Sequence, residues 1–441
     1  MPSGNSHGPL LSGREIVDIG GKHNGSKKAG GHTLDALVTY FFVARQIFYP
    51  IQFCVYSDAS LYTWFEWLFH DAAYLESVLL GMSAMDDFFK RRPPSKLTYS
   101  HMRATITALN NRLSDPNLYL ADSTIAVVMG LAELAGMLSD ETAAKAHVAG
   151  FQRMVRLRGG VSSFADNTKL QIKIGRFDLI YALCTGKPPQ FFIDPISWSP
   201  IFDPLLSPIT STSGSSPEDT NNWPSSTPAP PSPLPAFFLH DPKLTTIFRD
   251  LLHFTTLLNT TTSSPSASHY TPLLRDTDYQ HYVCSLQYRL LRLQNKLASI
   301  LDECARLAML ALLTTTFQVA GKRAPYPRLE RRFREFCRAA GLDEVPPEVT
   351  LWLLVVGALA VFHVGDDGVE EEGEDVGWMV EAWRANISSA GWGWEEAYVR
   401  LRGGFPWIAV LHDEAGRVVF ETLCGKARDG NGDGNEVVWA A

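Results

Sequence analysis

Gly4-Asn5-Ser6-His7-Gly8 matches the Gly-x-Ser-x-Gly pattern of a nucleophile elbow. That motif activates a serine because a strand, a sharp turn and a helix hold its hydroxyl strained and exposed. Here the five residues lie in a Gly-, Ser- and His-rich stretch with no strand pattern before them, so the match is one of chance. Asp429-Gly430-Asn431-Gly432-Asp433-Gly434 reproduces the first half of a calcium-binding EF-hand loop, including the glycine at position six. Position twelve must supply a bidentate carboxylate and is Ala440, so calcium is not expected there. His70 beside Asp71, and His412 beside Asp413 and Glu414, bring imidazoles next to carboxylates in the sequence. Neighbours on a helix point apart, so these pairs do not read as catalytic. The six cysteines, at 54, 184, 284, 304, 337 and 424, contain no Cys-x-x-Cys, and most fall in apolar or helical contexts that suit reduced, buried thiols. No P-loop, dinucleotide fingerprint or His-Glu-x-x-His is present. These residues therefore predict no catalytic set, no metal ligands and no cofactor, and the expectation is a protein that is not an enzyme.

The hexapeptide Val-Arg-Leu-Arg-Gly-Gly occurs twice, at Val155–Gly160 and Val399–Gly404. An internal duplication, an RGG-type nucleic-acid contact and a ubiquitin-like tail all compete to explain it. The flanks decide. Before the first copy, Val148, Phe151 and Val155 fall at i, i+3 and i+7 with polar residues between them, which is an amphipathic helix. Gly159 then suits the left-handed residue that closes a helix, and Arg156 and Arg158 suit the negative end of its dipole. Before the second copy, Trp394, Ala397, Tyr398 and Leu401 share a face, and Pro406 bars continuation. Beyond the hexapeptide the surroundings do not match, against duplication. Both copies read as helix ends, the first stopping at its glycines.

The elements that carry these residues are helical nearly throughout. Helix patterns cover Thr33–Phe48, Ser60–Arg92 as one run, Thr98–Asp115, and Asp122–Leu138 with Asp122 or Ser123 as N-cap. They continue from Asp241 through Tyr282–Phe317, Arg328–Gly341 with Gly341 as a stop, Val349–Phe362 and Gly377–Gly391. The one strand candidate is a hairpin, Trp407–Leu411 pairing with Arg417–Leu423 across His412–Gly416. The fold class is all-α, a multi-helix bundle with a disordered Pro/Ser/Thr-rich insertion. Residues 1–31 read as disordered, 32–204 as a helical first half, 205–240 as a linker, 241–427 as a second half packing on the first, and 428–441 as a flexible tail. Between Leu205 and Pro235 lie eight prolines and twelve Ser or Thr residues, a composition that cannot offset its ordering entropy by burial.

Length and charge bound the function further. At 441 residues about two or three domains fit, and 45% apolar residues can bury a substantial core. The net charge of −8 argues against a surface devoted to nucleic acid. The one concentrated basic run, Lys90–Lys96, reads more simply as a solvated helix end than as an import signal. The most apolar run, Val349–Phe362, is 14 residues long and falls short of the roughly 20 needed to span a bilayer. No membrane segment and no secretory leader are expected, and an intracellular compartment fits the cysteines.

His147, Gly150, Met154, Val155, Arg158, Gly159 and Gly160 form a His-x-x-Gly-hydrophobic-x-x-Met-Val helix running into Arg-Gly-Gly. That segment, with the Asp122–Leu138 helix before it, resembles the signature of the fungal-specific transcription factor regulatory domain. Cys304–Leu313, Trp352–Val361 and Trp378–Trp383 resemble later helices of the same domain in the same order. The resemblance covers roughly 85–185 and 280–425. It implies an all-α regulatory module in the nucleus, or in the cytoplasm, that acts through protein partners, self-association or a small-molecule effector. Such regulators usually begin with a six-cysteine zinc cluster, which places a helix in the major groove. Here Cys54 comes first, with no second cysteine nearby, so specific DNA binding by this chain alone is not expected. The alternative is a helical enzyme or small-molecule scaffold, which needs a pocket where polar groups from several helices converge.

Overall fold

The computed structural model describes residues 55–56, 63–191, 196–201, 238–262, 274–317, 326–362 and 377–429. The stretches expected over 1–31, Thr33–Phe48 and Leu205–Pro235, and the half EF-hand loop from Gly430 onward, lie outside these residues. What is described is predominantly helical. The only sheet among the described residues is a two-residue parallel pair, β1 (Val55–Tyr56) with β2 (Leu274–Arg275). The helices are α1 (Thr63–His70), α2 (Ala72–Phe89), α3 (Lys96–Leu113), α4 (Asp122–Met137), α5 (Glu141–Leu157) and α6 (Thr168–Thr185). Then come α7 (Pro242–Thr262), α8 (Asp276–Arg292), α9 (Ile300–Thr314), α10 (Pro327–Ala339) and α11 (Pro347–Ala360). The last are α12 (Gly377–Trp383), α13 (Trp394–Gly404) and α14 (Ala409–Asp429).

The chain forms two compact units, and the division falls inside α6, between Phe177 and Asp178. In the first unit α2 packs on α3 and α4, and α4 packs along α5. The single run expected over Ser60–Arg92 is broken at Asp71. This residue caps α2 by accepting the Tyr74 amide (3.1 Å) and pairs with Arg112 (2.6 Å). The basic run after α2 is folded back on that helix. Lys90 and Arg92 pair with Asp86, and buried Asp87 accepts Arg92 Nε (2.5 Å), Ser95 N (2.7 Å) and Thr98 Oγ1 (2.5 Å). Burial alone would lift the Asp87 carboxyl, but these donors hold it below its ordinary value.

The second unit is built around α11. Every described side chain from Val349 to Phe362 is buried, and the helix packs against α9, α12, α13 and α14 of its own unit. An apolar helix with no polar face needs such cover. Trp352 donates its indole N–H to Pro406 O (3.2 Å) and stacks on Phe405 (ring centroids 5.4 Å apart). Gly357 has a specific task here: a Cβ would come within 2.2 Å of the Phe362 ring, which folds back over the helix end. α10 stops at a left-handed Gly341 (φ +58°), as its sequence indicated.

The expected hairpin at Trp407–Leu423 is instead helical from Ala409 onward, the first turns of α14. Val419, Phe420, Leu423 and Ala427 are buried at helical spacing, while Val418 is exposed. The helix start is organised from afar. Asn259 on α7 accepts the Ala409 amide (2.8 Å) and donates to Trp407 O (2.7 Å). Gly416, read as a turn residue, is helical and leaves room for Trp407, whose ring a Cβ would meet at 2.8 Å. Among the described residues no helix is long and apolar enough to cross a membrane.

Candidate functional site

The seven signature residues lie on α5 and its C-terminal cap. Asp140 caps the helix by accepting the Ala143 amide (3.0 Å), and Val148, Phe151, Met154 and Val155 form the face against α4. A Cβ on Gly150 would sit 4.0 Å from Val128 Cγ1, so alanine fits and anything larger would press into α4. His147 is half-buried; burial lowers its pKa, and the charge of Asp140 partly offsets this.

Gly159 and Gly160 close the helix with φ of +106° and +88°. Gly160 N–H reaches back to Val155 O (2.9 Å) and Gly159 N–H to Arg156 O (3.0 Å), which satisfies the last carbonyls. Arg158 then joins four segments. It donates to Leu120 O (2.7 Å), pairs with Asp122 at the start of α4, and lies over Phe164 at 4.7 Å. Asp122 also accepts Asn167 Nδ2 (2.8 Å), and the Asn167 carbonyl caps α6 by accepting the Leu170 amide (3.2 Å). Asp122 is thus a tertiary partner. The N-cap of α4 is Ala121, with no side-chain cap bond, where Asp122 or Ser123 was expected. Arg112 plays a parallel part, donating to Thr124 Oγ1 (2.8 Å) and Ser123 Oγ (3.0 Å) while paired with Asp71. Its sequence context gave no sign of this, because all three partners are remote or on another element.

The second copy of the hexapeptide ends differently. α13 runs through Gly403 and Gly404, and neither has positive φ. The helix stops at Phe405, which is extended (φ −130°, ψ 154°). Pro406 disfavours helical backbone in the residue before it, and Phe405 is anchored on Trp352. So identical residues stop one helix through left-handed glycines and the other through a proline. Arg400 lies over Trp392 (4.3 Å) and pairs with Glu396, and Arg402 donates to Tyr398 OH (2.8 Å).

In the second unit several buried ionisable groups are engaged with one another. Asp250 pairs with Arg289 (2.7 Å) and accepts the Ile201 amide. Glu303 holds Arg306 through two 2.6 Å bonds and Arg332 at 2.9 Å. Asp178 accepts the Gln190 and Phe191 amides and Tyr288 OH (3.0 Å); burial lifts both the Asp178 carboxyl and the Tyr288 phenol. Burial and the neighbouring Cys304 push the Cys337 thiol well up, which makes it a poor nucleophile. His412 is buried away from Asp413, which instead accepts Trp407 Nε1 (2.7 Å) and Tyr398 OH (3.0 Å). Among the described residues no group of three or more His, Cys, Asp or Glu side chains is arranged to hold a metal.

Two clefts open on this unit. One is lined by His240, Asp241, Lys296, Ser299 and Asp302, and there Asp302 accepts the amides of His240 and Asp241 (both 2.9 Å). The other lies between the Leu342–Glu344 turn and a π-helical segment, Arg384–Ser388, that extends α12.

The first unit exposes apolar side chains around the Arg158 junction. Leu157 is 57% exposed, and Leu118 and Tyr119, in the loop that Arg158 holds, are 38% and 37% exposed. Arg153 and Arg156 on the same helix are exposed, and among the described residues no acidic side chain pairs with either. Comparison of the chain with protein-family models, with curated proteins and with solved structures finds no match.

Proposed function

We propose that the chain is a regulatory interaction module of the transcription-regulator type, and that the end of α5 is a surface through which it binds partner proteins. The observation that carries this is the coincidence of exposed Leu157, Leu118 and Tyr119 with exposed Arg153 and Arg156, which have no acidic partner among the described residues. Apolar side chains rimmed by uncompensated cations fit an amphipathic segment whose polar edge is acidic. The cap supports that use: the left-handed glycines close the helix and Arg158 ties its end to Leu120 O, so the surface is set before binding and little ordering entropy is lost. The sequence resemblance adds the regulatory context and the nuclear setting. In this reading the module works without its own zinc cluster and reaches DNA only through a partner.

The test is titration of the purified chain with a labelled acidic amphipathic helix-forming peptide, followed by fluorescence anisotropy. Saturable binding that Leu157→Asp weakens at least tenfold is expected. Preferential binding of duplex DNA or RNA through Arg153 and Arg156 would transfer the surface to nucleic acid and overturn the reading.

A further inference from the structure

Helix α10 concentrates positive charge. Its 13 residues include Arg328, Arg331, Arg332, Arg334 and Arg338, against Glu330 and Glu335. The inner face is filled by Leu329, Phe333 and Cys337, all buried. Two arginines are engaged at the flanks, Arg332 with Glu303 (2.9 Å) and Arg334 with Glu330 (2.6 Å). Arg328, Arg331, Glu335 and Arg338 follow at i, i+3, i+7 and i+10, which gathers them on one outer face, and all four are exposed. Arg328 donates to Thr185 O, and Arg331 has no acidic partner among the described residues. The outer face thus carries three guanidinium groups against one carboxylate, in a chain whose net charge is −8.

Exposed arginines alone would be an ordinary solvated helix face. The chain that joins α11 to α12 changes that. Residues 363–376, which lie outside the described residues, read His-Val-Gly-Asp-Asp-Gly-Val-Glu-Glu-Glu-Gly-Glu-Asp-Val, with seven carboxylates and no lysine or arginine. This segment starts and ends beside α10. Phe362, the residue before it, packs on Phe333 of α10 (ring centroids 5.2 Å apart). Trp378, just after it, lies against Phe362 (5.6 Å) and under the Arg338 guanidinium (5.9 Å). With its ends this close, a 14-residue segment extends at most about half its contour, roughly 23 Å at 3.3 Å per residue. At 1.5 Å per residue α10 is about 20 Å long, so the segment reaches every arginine of the outer face without any helix moving. A block of like charge repels itself and is drawn to a surface of opposite sign. Tethering at both ends makes that encounter intramolecular, at an effective concentration on the order of millimolar, so ion pairs that are weak singly add up.

We propose that the outer face of α10 is a docking surface for the chain's own acidic segment, residues 366–375, whose carboxylates pair with Arg328, Arg331 and Arg338. Docked there, the segment occupies a cationic surface that would otherwise attract acidic peptides. This surface belongs to the second unit and does not depend on the reading of the end of α5.

The test is zero-length cross-linking of the full chain. Arg331→Lys and Arg338→Lys are surface changes that keep the charge and supply an amine, which a water-soluble carbodiimide joins to a touching carboxylate as an amide with loss of water. Peptide mapping of the monomeric product should find the amine at position 331 or 338 joined to a carboxylate of residues 366–375, with a yield that falls about tenfold or more in about 0.5 M salt. A second arm measures the affinity of a fluorescent polyglutamate peptide for the parent and for a chain whose seven acids in this segment are replaced by Asn or Gln. The neutralised chain should bind the probe about tenfold or more tightly than the parent, and adding Arg331→Gln/Arg338→Gln should remove the gain. No cross-link to the segment from either position, a cross-link that joins two chains instead of one, or equal polyglutamate affinity of parent and neutralised chain overturns the assignment.

Discussion

Acidification should destabilise the second unit through one histidine. His412 is 1% exposed, and both its nitrogens are committed. Nδ1 accepts the Ile408 amide (3.1 Å), so it carries no proton, and Nε2–H donates to Thr315 Oγ1 (2.9 Å), whose own proton goes to Leu312 O (2.6 Å). A second proton at Nδ1 would face the Ile408 N–H and break that bond. Burial accordingly lowers the pKa to about 3. The sign follows from linkage: below an unfolded pKa of about 6.5 the unfolded chain binds a proton that the folded one refuses until about pH 3. Stability from this group is therefore complete above about pH 6.5 and is lost as the pH falls towards 3. At about 1.36 kcal/mol per pH unit, the loss between neutral pH and pH 5 is about 2 kcal/mol. The assay is urea unfolding at pH 7.5 and pH 5.0 for the parent and for His412→Gln, which does not titrate. The variant starts less stable, but its loss between the two pH values should be smaller than the parent's by about 2 kcal/mol. Equal losses, or a His412 imidazole that titrates near pH 6.5 in the folded protein by NMR, would refute the reasoning.

Three further outcomes follow from the packing. Gly159→Val should cost roughly 1 to 2 kcal/mol in chemical denaturation, because its backbone is held at positive φ; no cost would mean the helix does not need this stop. Arg158→Ala should cost on the order of 1 to 3 kcal/mol through the bonds to Leu120 O and Asp122, and Arg156→Ala less than about 1 kcal/mol, so a reversed order in thermal melts would contradict the junction. Gly357→Ala should cost about 1 to 3 kcal/mol by displacing the Phe362 ring from Phe333 and Trp378, a change readable as loss of near-ultraviolet circular dichroism.

Periodicity made the helices legible where a segment carries its own pattern. α5 shows its apolar face from Val148 to Val155, and the Val349–Phe362 run has Thr350 as its one polar side chain. It failed where a remote partner decides. The Trp407–Leu423 segment alternates apolar and polar residues over a few positions, which reads as a hairpin; Asn259, 150 positions away, supplies the cap that makes it a helix. Asp71 looks like one more polar residue inside a long helix until Arg112 and the Tyr74 amide claim it. The hexapeptide shows the same limit most plainly. Gly159 and Gly160 stop a helix, whereas Gly403 and Gly404 continue one, because Phe405-Pro406 sets the stop two residues later. The left-handed stop at Gly159 and Gly160 was legible in the pattern, but the tie between Arg158 and Asp122 arises only when distant turns meet.

The partner surface at the end of α5 is tested most directly by charge reversal with rescue. Affinity for an acidic amphipathic peptide is measured for the parent and for Arg153→Glu/Arg156→Glu, then for both proteins with a peptide whose acidic residues are replaced by lysine. The surface predicts that the variant loses the acidic peptide at least tenfold and gains the lysine peptide, in a manner that salt weakens. Equal affinity of parent and variant for both peptides would contradict it.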